Sequence, residues 1–261
     1  MAGDDAHRAP RSGLTNVASG RVDHVDALTL AGAIVDVARD LGRSLPHPRG
    51  APYFFLDTGV PYDLRVFDAL SGRGIFRKYE FALEIGSSLG GRARWLAART
   101  GCRILGVDPC APAVAAASML NRRAHMGDQV NFLVAPAECL PLRDRVFTHV
   151  WWLNPCSDVE RSDPLSEAFR VLRRGGHFAL QAPMLGASRR AQLLHALQRV
   201  GFDEVETREA ALSESPHAYR IARDRLCAVL RPRADLSAQW QEGDRWAAEP
   251  GCLQVFAHRP A

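Results

Sequence analysis

Residues 81–108, FALEIGSSLGGRARWLAARTGCRILGVD, constrain the fold more than any other part of this chain. The apolar run 81–83 leads into Glu84, and Gly86, Gly90 and Gly91 crowd the short turn behind it. Glycines gathered in this way let a backbone turn tightly and lie close to another group, at an entropic cost anywhere else. Residues 92–100 have helical character, with Trp95, Leu96 and Ala98 as inward candidates, and a second apolar run at 104–107 stops at Asp108. Strand, glycine turn, helix, strand and acid make half of a mononucleotide-binding unit. In such a unit the ligand lies on the turn and the helix N-terminus, and the acid about 20 residues on accepts from the ribose hydroxyls.

The remaining pattern alternates strands and helices. Residues 112–126 read as a helix with Pro112 in its first turn; 130–134 and 147–153 (FTHVWWL) read as strands, the latter apolar enough to be central in a parallel sheet. Residues 165–172 read as a helix that Gly175-Gly176 would end in a left-handed conformation, ahead of a strand at 178–181. A helix at 191–200 stopped by Gly201, a strand around Val205 and Thr207, and a closing strand at 251–258 complete the order. The expected fold class is α/β: a doubly wound, seven-stranded, mostly parallel sheet with the last strand antiparallel, an N-terminal helical extension and a C-terminal insertion.

The expected division is a disordered tail at 1–22, a helical or cap extension at 23–79, and a ligand-binding domain at 80–261. In the extension, Val25, Leu28, Leu30, Ile34, Val35, Val37 and Ala38 fit one face of a helix, which either packs on the core or caps the site. The aromatics Tyr53, Phe54, Phe55, Tyr62 and Phe67, interleaved with Asp57, Asp63 and Arg65, suit a substrate pocket or a helix pair over the sheet edge. Residues 212–250 are longer than a simple connection and either fold over the site or form a dimer surface.

Composition narrows the partners. A net charge of +4 is carried almost wholly by scattered arginines, Lys78 being the single lysine, so no block of basic residues marks a nucleic-acid footprint. The six cysteines show no C-x-x-C and no Cys/His spacing suited to zinc, so no metal is expected. They read as small core residues in a reducing, cytoplasmic compartment. No apolar run approaches the roughly 18 residues of a membrane span. The oligomeric state is left open between monomer and homodimer.

The glycine turn departs from the dinucleotide fingerprint, because Ser88 stands at the middle glycine. A short-chain dehydrogenase would also need Tyr-x-x-x-Lys after the fourth strand, whereas Lys78 precedes the turn. LEIGSSLGG instead resembles motif I of the class I S-adenosylmethionine (SAM)-dependent methyltransferases, written [D/E]-x-G-x-G-x-G, with Glu84, Gly86 and Gly90 matching and Ser88 departing. GVDPCAPAVAAA resembles their acidic loop, and R-V-L-x-x-G-G-x-x-x-L is a mark of the small-molecule, type 11-like group. The resemblance implies SAM as cofactor and methyl transfer to a small-molecule acceptor. By position it assigns the cofactor to Glu84 (the SAM amino group), Gly86, Ser87, Ser88, Gly90, Asp108 (the ribose), Pro109 (against adenine), Ala137, Glu138 and Asn154. Pro136 occupies the place of the acid that in the family holds the adenine amino group, so Glu138 or a main-chain amide would take that part.

Catalytic candidates are His149, Asn154 and Tyr62, Asn154 as a substrate contact; the candidates for a base are His149, Tyr62, Tyr53, Asp57 and His217. Each has a bland counterpart: His149 as a core histidine within its strand, Asn154 as a loop turn. His177 lies at the wrong end of its strand. A second possibility is a SAM-binding protein of this fold that does not methylate, acting as sensor, partner subunit or catalyst of another reaction.

Overall fold

The computed structural model describes residues 26–41, 78–153, 159–210, 217–231 and 251–261. Helix α1 (Asp26–Asp40) precedes the unit that the glycine turn announces: β1 (Phe81–Ile85), α2 (Gly91–Thr100) and β2 (Arg103–Asp108). The chain continues through α3 (Ala111–Arg123), β3 (Val130–Val134), β4 (Phe147–Leu153), α4 (Ser162–Val171) and β5 (Leu172–Pro183). It closes with α5 (Ala187–Val200), β6 (Asp203–Ala210), α6 (His217–Leu230) and β7 (Cys252–His258). The seven strands form one sheet in the order β3-β2-β1-β4-β5-β7-β6. β7 is antiparallel to both β5 and β6, and the pairs from β3 to β5 are parallel.

Strand alternation divides the core into two layers. Trp151 and Leu153 of β4 join one apolar cluster with α1, α2, α3 and residues Leu226 and Leu230 of α6. Val150 and Trp152 point the other way, into a cluster with Leu165 and Ala168 of α4 and Leu193, Ala196 and Leu197 of α5. Every residue of β4 is buried, as a strand covered on both faces requires. Burying a large apolar side chain of this kind contributes about 1.5–3 kcal/mol, so β4 anchors the molecule.

Helix α1 buries Ala27, Leu30, Ala31, Ile34, Val37 and Ala38, a face of i, i+3, i+4 and i+7 spacing, and packs against α3 and α6. The aromatics at 51–77, the tail and Asn154 lie outside the described residues, as does most of the 211–250 connection apart from α6.

Three expectations are corrected. Helix α4 ends at Val171, with Leu172 already extended (φ −75°, ψ 133°), so the glycine pair does not stop it. Gly175 and Gly176 lie inside the β5 run. Gly175 is left-handed (φ +65°) where the β4–β5 register slips between Phe147 and His149. The pair is held by exchange with the C-terminal segment: Gly175 N donates to Arg259 O at 2.9 Å, and Arg259 N to Gly176 O at 3.0 Å. The pair thus makes a bulge in a strand that starts six residues before 178, at Leu172. Not all cysteines are core residues, since Cys139 is exposed and Cys110 and Cys227 are half-buried. On the other edge of β4, Thr148 Oγ1 accepts from Phe81 N at 3.2 Å and donates to Phe81 O at 2.9 Å, stitching β1 to β4.

Candidate functional site

The site begins with main-chain geometry. Gly86 N and Ser87 N both donate to Val107 O, at 2.9 and 3.0 Å, so the turn folds back over the end of β2. Gly86, Ser88 and Gly90 all have positive φ, +72°, +49° and +75°. Only glycine adopts that region freely, whereas an L-residue such as Ser88 loses roughly 1–2 kcal/mol there. The alternating left-handed pattern is therefore kept despite Ser88, and the side chain is accommodated.

The glycines of the turn do different work. A Cβ on Gly86 would meet nothing within 4 Å, so its surface faces open space at the carboxyl end of the sheet. A Cβ on Gly90 would lie 2.1 Å from Cζ of Phe132, whose ring packs under the turn, and one on Gly106 would meet the same ring at 2.6 Å. Gly90 is thus required by packing and Gly86 leaves the approach for a ligand. Phe132 was not among the sequence candidates; a glycine inside strand β2, at Gly106, is the signal of a close neighbour that points to it.

Asp108 ends β2 and is half-buried beside the turn. Its Oδ2 accepts from Ser88 N at 2.9 Å and its Oδ1 from Cys110 N at 2.9 Å. A carboxylate has about four acceptor positions, so two amides fix its orientation and leave capacity for two hydroxyl donors. Pro109 is exposed next to it. On the loop after β3, Ala135 N donates to Asp108 O at 3.1 Å, which brings that loop alongside the acid. Ala137 and Glu138 are half-buried there, and Glu138 Oε1 stands 3.8 Å from Arg161. Leu140 N donates to Glu167 Oε2 at 2.7 Å, and Arg170 ties Leu140 O, Leu142 O, Asp144 and Glu167 together. This network fixes the exit of the loop, and the Arg170 guanidinium holds the Glu167 carboxyl below the usual carboxylate range.

Glu84, fully buried, is not open toward solvent. Its Oε1 accepts from Nε of Arg92, which is only 4% exposed. The same guanidinium donates to Gly86 O at 2.6 Å and to Leu153 O at 3.3 Å. Arg92 is the second residue of α2, where the helix dipole disfavours a cation. That placement is the only sequence sign of its role, and sequence reasoning missed it.

The structure thus brings together Glu84, Gly86, Ser87, Ser88, Gly90, Asp108, Pro109, Ala137 and Glu138 at the carboxyl ends of β1, β2 and β3. His149 is elsewhere. Four residues before the end of β4, it stands about 13 Å back along the strand at ~3.3 Å per residue. It is 4% exposed, its Nδ1 is 2.6 Å from Thr148 Oγ1, and its ring stacks on His177 at 5.2 Å. Burial, then His177 and Arg173, push its imidazole down to about 3. Tyr62, Tyr53, Asp57 and Asn154 lie outside the described residues, and His217 starts α6.

Residues 83–180 match the family model described as "Methyltransferase domain". Over 105 residues the chain is 30% identical to sarcosine/dimethylglycine N-methyltransferase of Halorhodospira halochloris, covering 40% of this chain and 38% of that protein. Over 102 residues it is 28% identical to sterol 24-C-methyltransferase of Eremothecium gossypii, covering 39% and 27%. The match therefore spans well under half the length of these curated relatives. Among solved structures, the 4+2 cyclase SpnF superposes with a TM-score of 0.59 at 20% identity, covering 76% of this chain and 81% of that one. Phosphoethanolamine N-methyltransferase 2 of Haemonchus contortus, in complex with SAM, superposes with a TM-score of 0.57 at 18% identity, covering 87% and 60%. At these identities the structural likeness establishes the sheet and its helices. Residues 83–180 are thus similar to a methyltransferase domain, and the solved structures share the fold.

Proposed function

We propose that this protein binds SAM at the carboxyl ends of β1 to β3 and directs its methyl group to a small-molecule acceptor. The observation that carries the reading is Asp108, its carboxylate held by the amides of Ser88 and Cys110 beside the open face of Gly86. The residues fit the group: Asp108 for the ribose hydroxyls, Gly86, Ser87, Ser88 and Gly90 for close main-chain approach, Pro109, Ala137 and Glu138 around the adenine. Asn154 is assigned to the methionine end, with Glu84 behind it under Arg92. Residues 80–261 act as the binding domain, with 23–79 as its extension and 1–22 as a tail. The half-buried and buried thiols suit a reducing, cytoplasmic setting.

When bound, SAM supplies a methyl carbon already activated on a sulfonium. What the chain must add is alignment of the acceptor with that carbon, an orientation effect that can supply several kcal/mol of the barrier. The rigid turn, anchored on Val107 O and Asp108, provides the fixed side of that alignment. His149 is buried, electrically neutral and remote from the turn, so it moves no proton in this scheme. The names of the curated relatives place amines and a sterol carbon among the acceptors worth presenting.

Incubation with methyl-labelled SAM and a panel of small amines and sterols tests the proposal. Labelled acceptor and S-adenosylhomocysteine (SAH) formed one for one support it. A second reading has one observation in its favour: the fold is shared with a protein whose name is that of a cyclase. SAH binding without methyl transfer to any acceptor would favour that reading.

A further inference from the structure

The carboxyl ends of β1 and β4 carry a cation-binding set that is already filled from within. One fully buried carboxylate, Glu84, and two main-chain carbonyls, Gly86 O and Leu153 O, converge on the guanidinium of Arg92. Acceptors of this kind, with no donor among them, are the recognition chemistry of an ammonium or a guanidinium. They lie just behind Gly86, the turn position with open space in front of it. A buried carboxylate needs a partner, and Arg92 supplies one at all ordinary pH because its guanidinium does not deprotonate.

We infer that Arg92 is a specificity-determining residue of the cofactor site: a built-in counter-cation on the acceptors that the α-ammonium of an amino-acid ligand would seek. The inference rests on the SAM reading. With Arg92 in place, an incoming ammonium must either displace the hydrogen bonds of its guanidinium or stay outside the set. The adenosyl portion of the ligand then carries most of the affinity, and its amino-acid end is read weakly. The protein binds SAH and 5′-methylthioadenosine, which share the adenosine and the thioether but not the amino-acid end, with similar strength.

Calorimetry of both ligands with wild type, Arg92→Gln and the double variant Glu84→Gln/Arg92→Gln tests this. Arg92→Gln removes the cation and retains an amide donor; the double variant removes both charges of the pair. In wild type the preference for SAH is expected to stay below about tenfold. In Arg92→Gln it rises by roughly tenfold or more, the worth of one bond to a charged group. In the double variant it returns to the wild-type value, because the freed carboxylate is gone. A preference unchanged by Arg92→Gln overturns the inference while leaving the cofactor reading intact. So does a wild-type preference above about a hundredfold, a result that requires no variant to fold. Failure of both ligands to bind wild type removes the cofactor reading and this inference together.

Discussion

Two carboxylates at the ends of neighbouring strands have opposite fates. Asp108 is half-buried and held by two neutral amides, so it stays an acceptor turned to the glycine turn. Glu84 is sealed under Arg92, and its charge is spent inside the protein. At the same scale, Gly90 and Gly86 differ by what faces them, an aromatic ring in one case and open space in the other. Gly90→Ala would force a methyl into Phe132 and hold an L-residue at φ +75°, together costing about 2–4 kcal/mol. Urea unfolding should show that loss, and Gly90→Ala in a Phe132→Ala background should cost distinctly less than in wild type, since the two sites share one space. Equal costs in both backgrounds would remove the packing explanation. Glu84, the glycines and Asp108 were legible in the sequence because acid and glycine spacing reports backbone demands directly. Arg92 and Phe132 were not, because which side chain fills a turn is decided by tertiary packing.

At the scale of elements, the boundaries that periodicity dictates were legible: β3 and β4 run over the residues expected, and α5 stops at Gly201, left-handed at φ +110°. The glycine pair was read as a helix stop because a glycine pair carries the same conformational preference in a cap and in a bulge. Only the ladder to Arg259 distinguishes them. Parallel β4 and β5, and the carboxyl end of antiparallel β7, place His149, His177 and His258 in register. Glu80 lies 3.9 Å from His149 and 3.6 Å from Arg173. His149 is neutral in the fold, its imidazole held down to about 3 by burial, by His177 and by Arg173, whereas the unfolded chain protonates it near 6.5. The unfolded state therefore binds the extra proton between those values, and stability falls as pH is lowered. Between pH 7 and 5 the loss from this group is about 2 kcal/mol. Glu160 and Glu167, held below their ordinary 4.5 by Arg189 and Arg170, lose their contribution only at lower pH. Denaturant titrations at pH 7 and 5 should show the decline in wild type and a flatter response in His149→Gln. An equal decline in both would contradict the assignment.

At the scale of the molecule, the sheet order puts β1 beside both β2 and β4, with helices covering both faces. In such sheets the ligand crevice lies beyond the carboxyl ends of the strands. The turn, Asp108 and the loop after β3 meet there, while the histidine row lies at the opposite edge. Among the described residues no helix is long and apolar enough to cross a membrane. The alternation of strand and helix made this architecture legible from sequence, since each apolar run needs two covered faces. The packing of α6 on α1 was not legible, because nothing in either helix specifies its neighbour. Asp108 is the acceptor on which SAM binding in this crevice depends. Calorimetric titration of wild type and Asp108→Ala with SAH tests it most directly. Two bonds to a charged group, each worth about 1.5–3 kcal/mol, predict an affinity at least roughly a hundredfold weaker in the variant. Binding of SAH by Asp108→Ala at the wild-type affinity would contradict it.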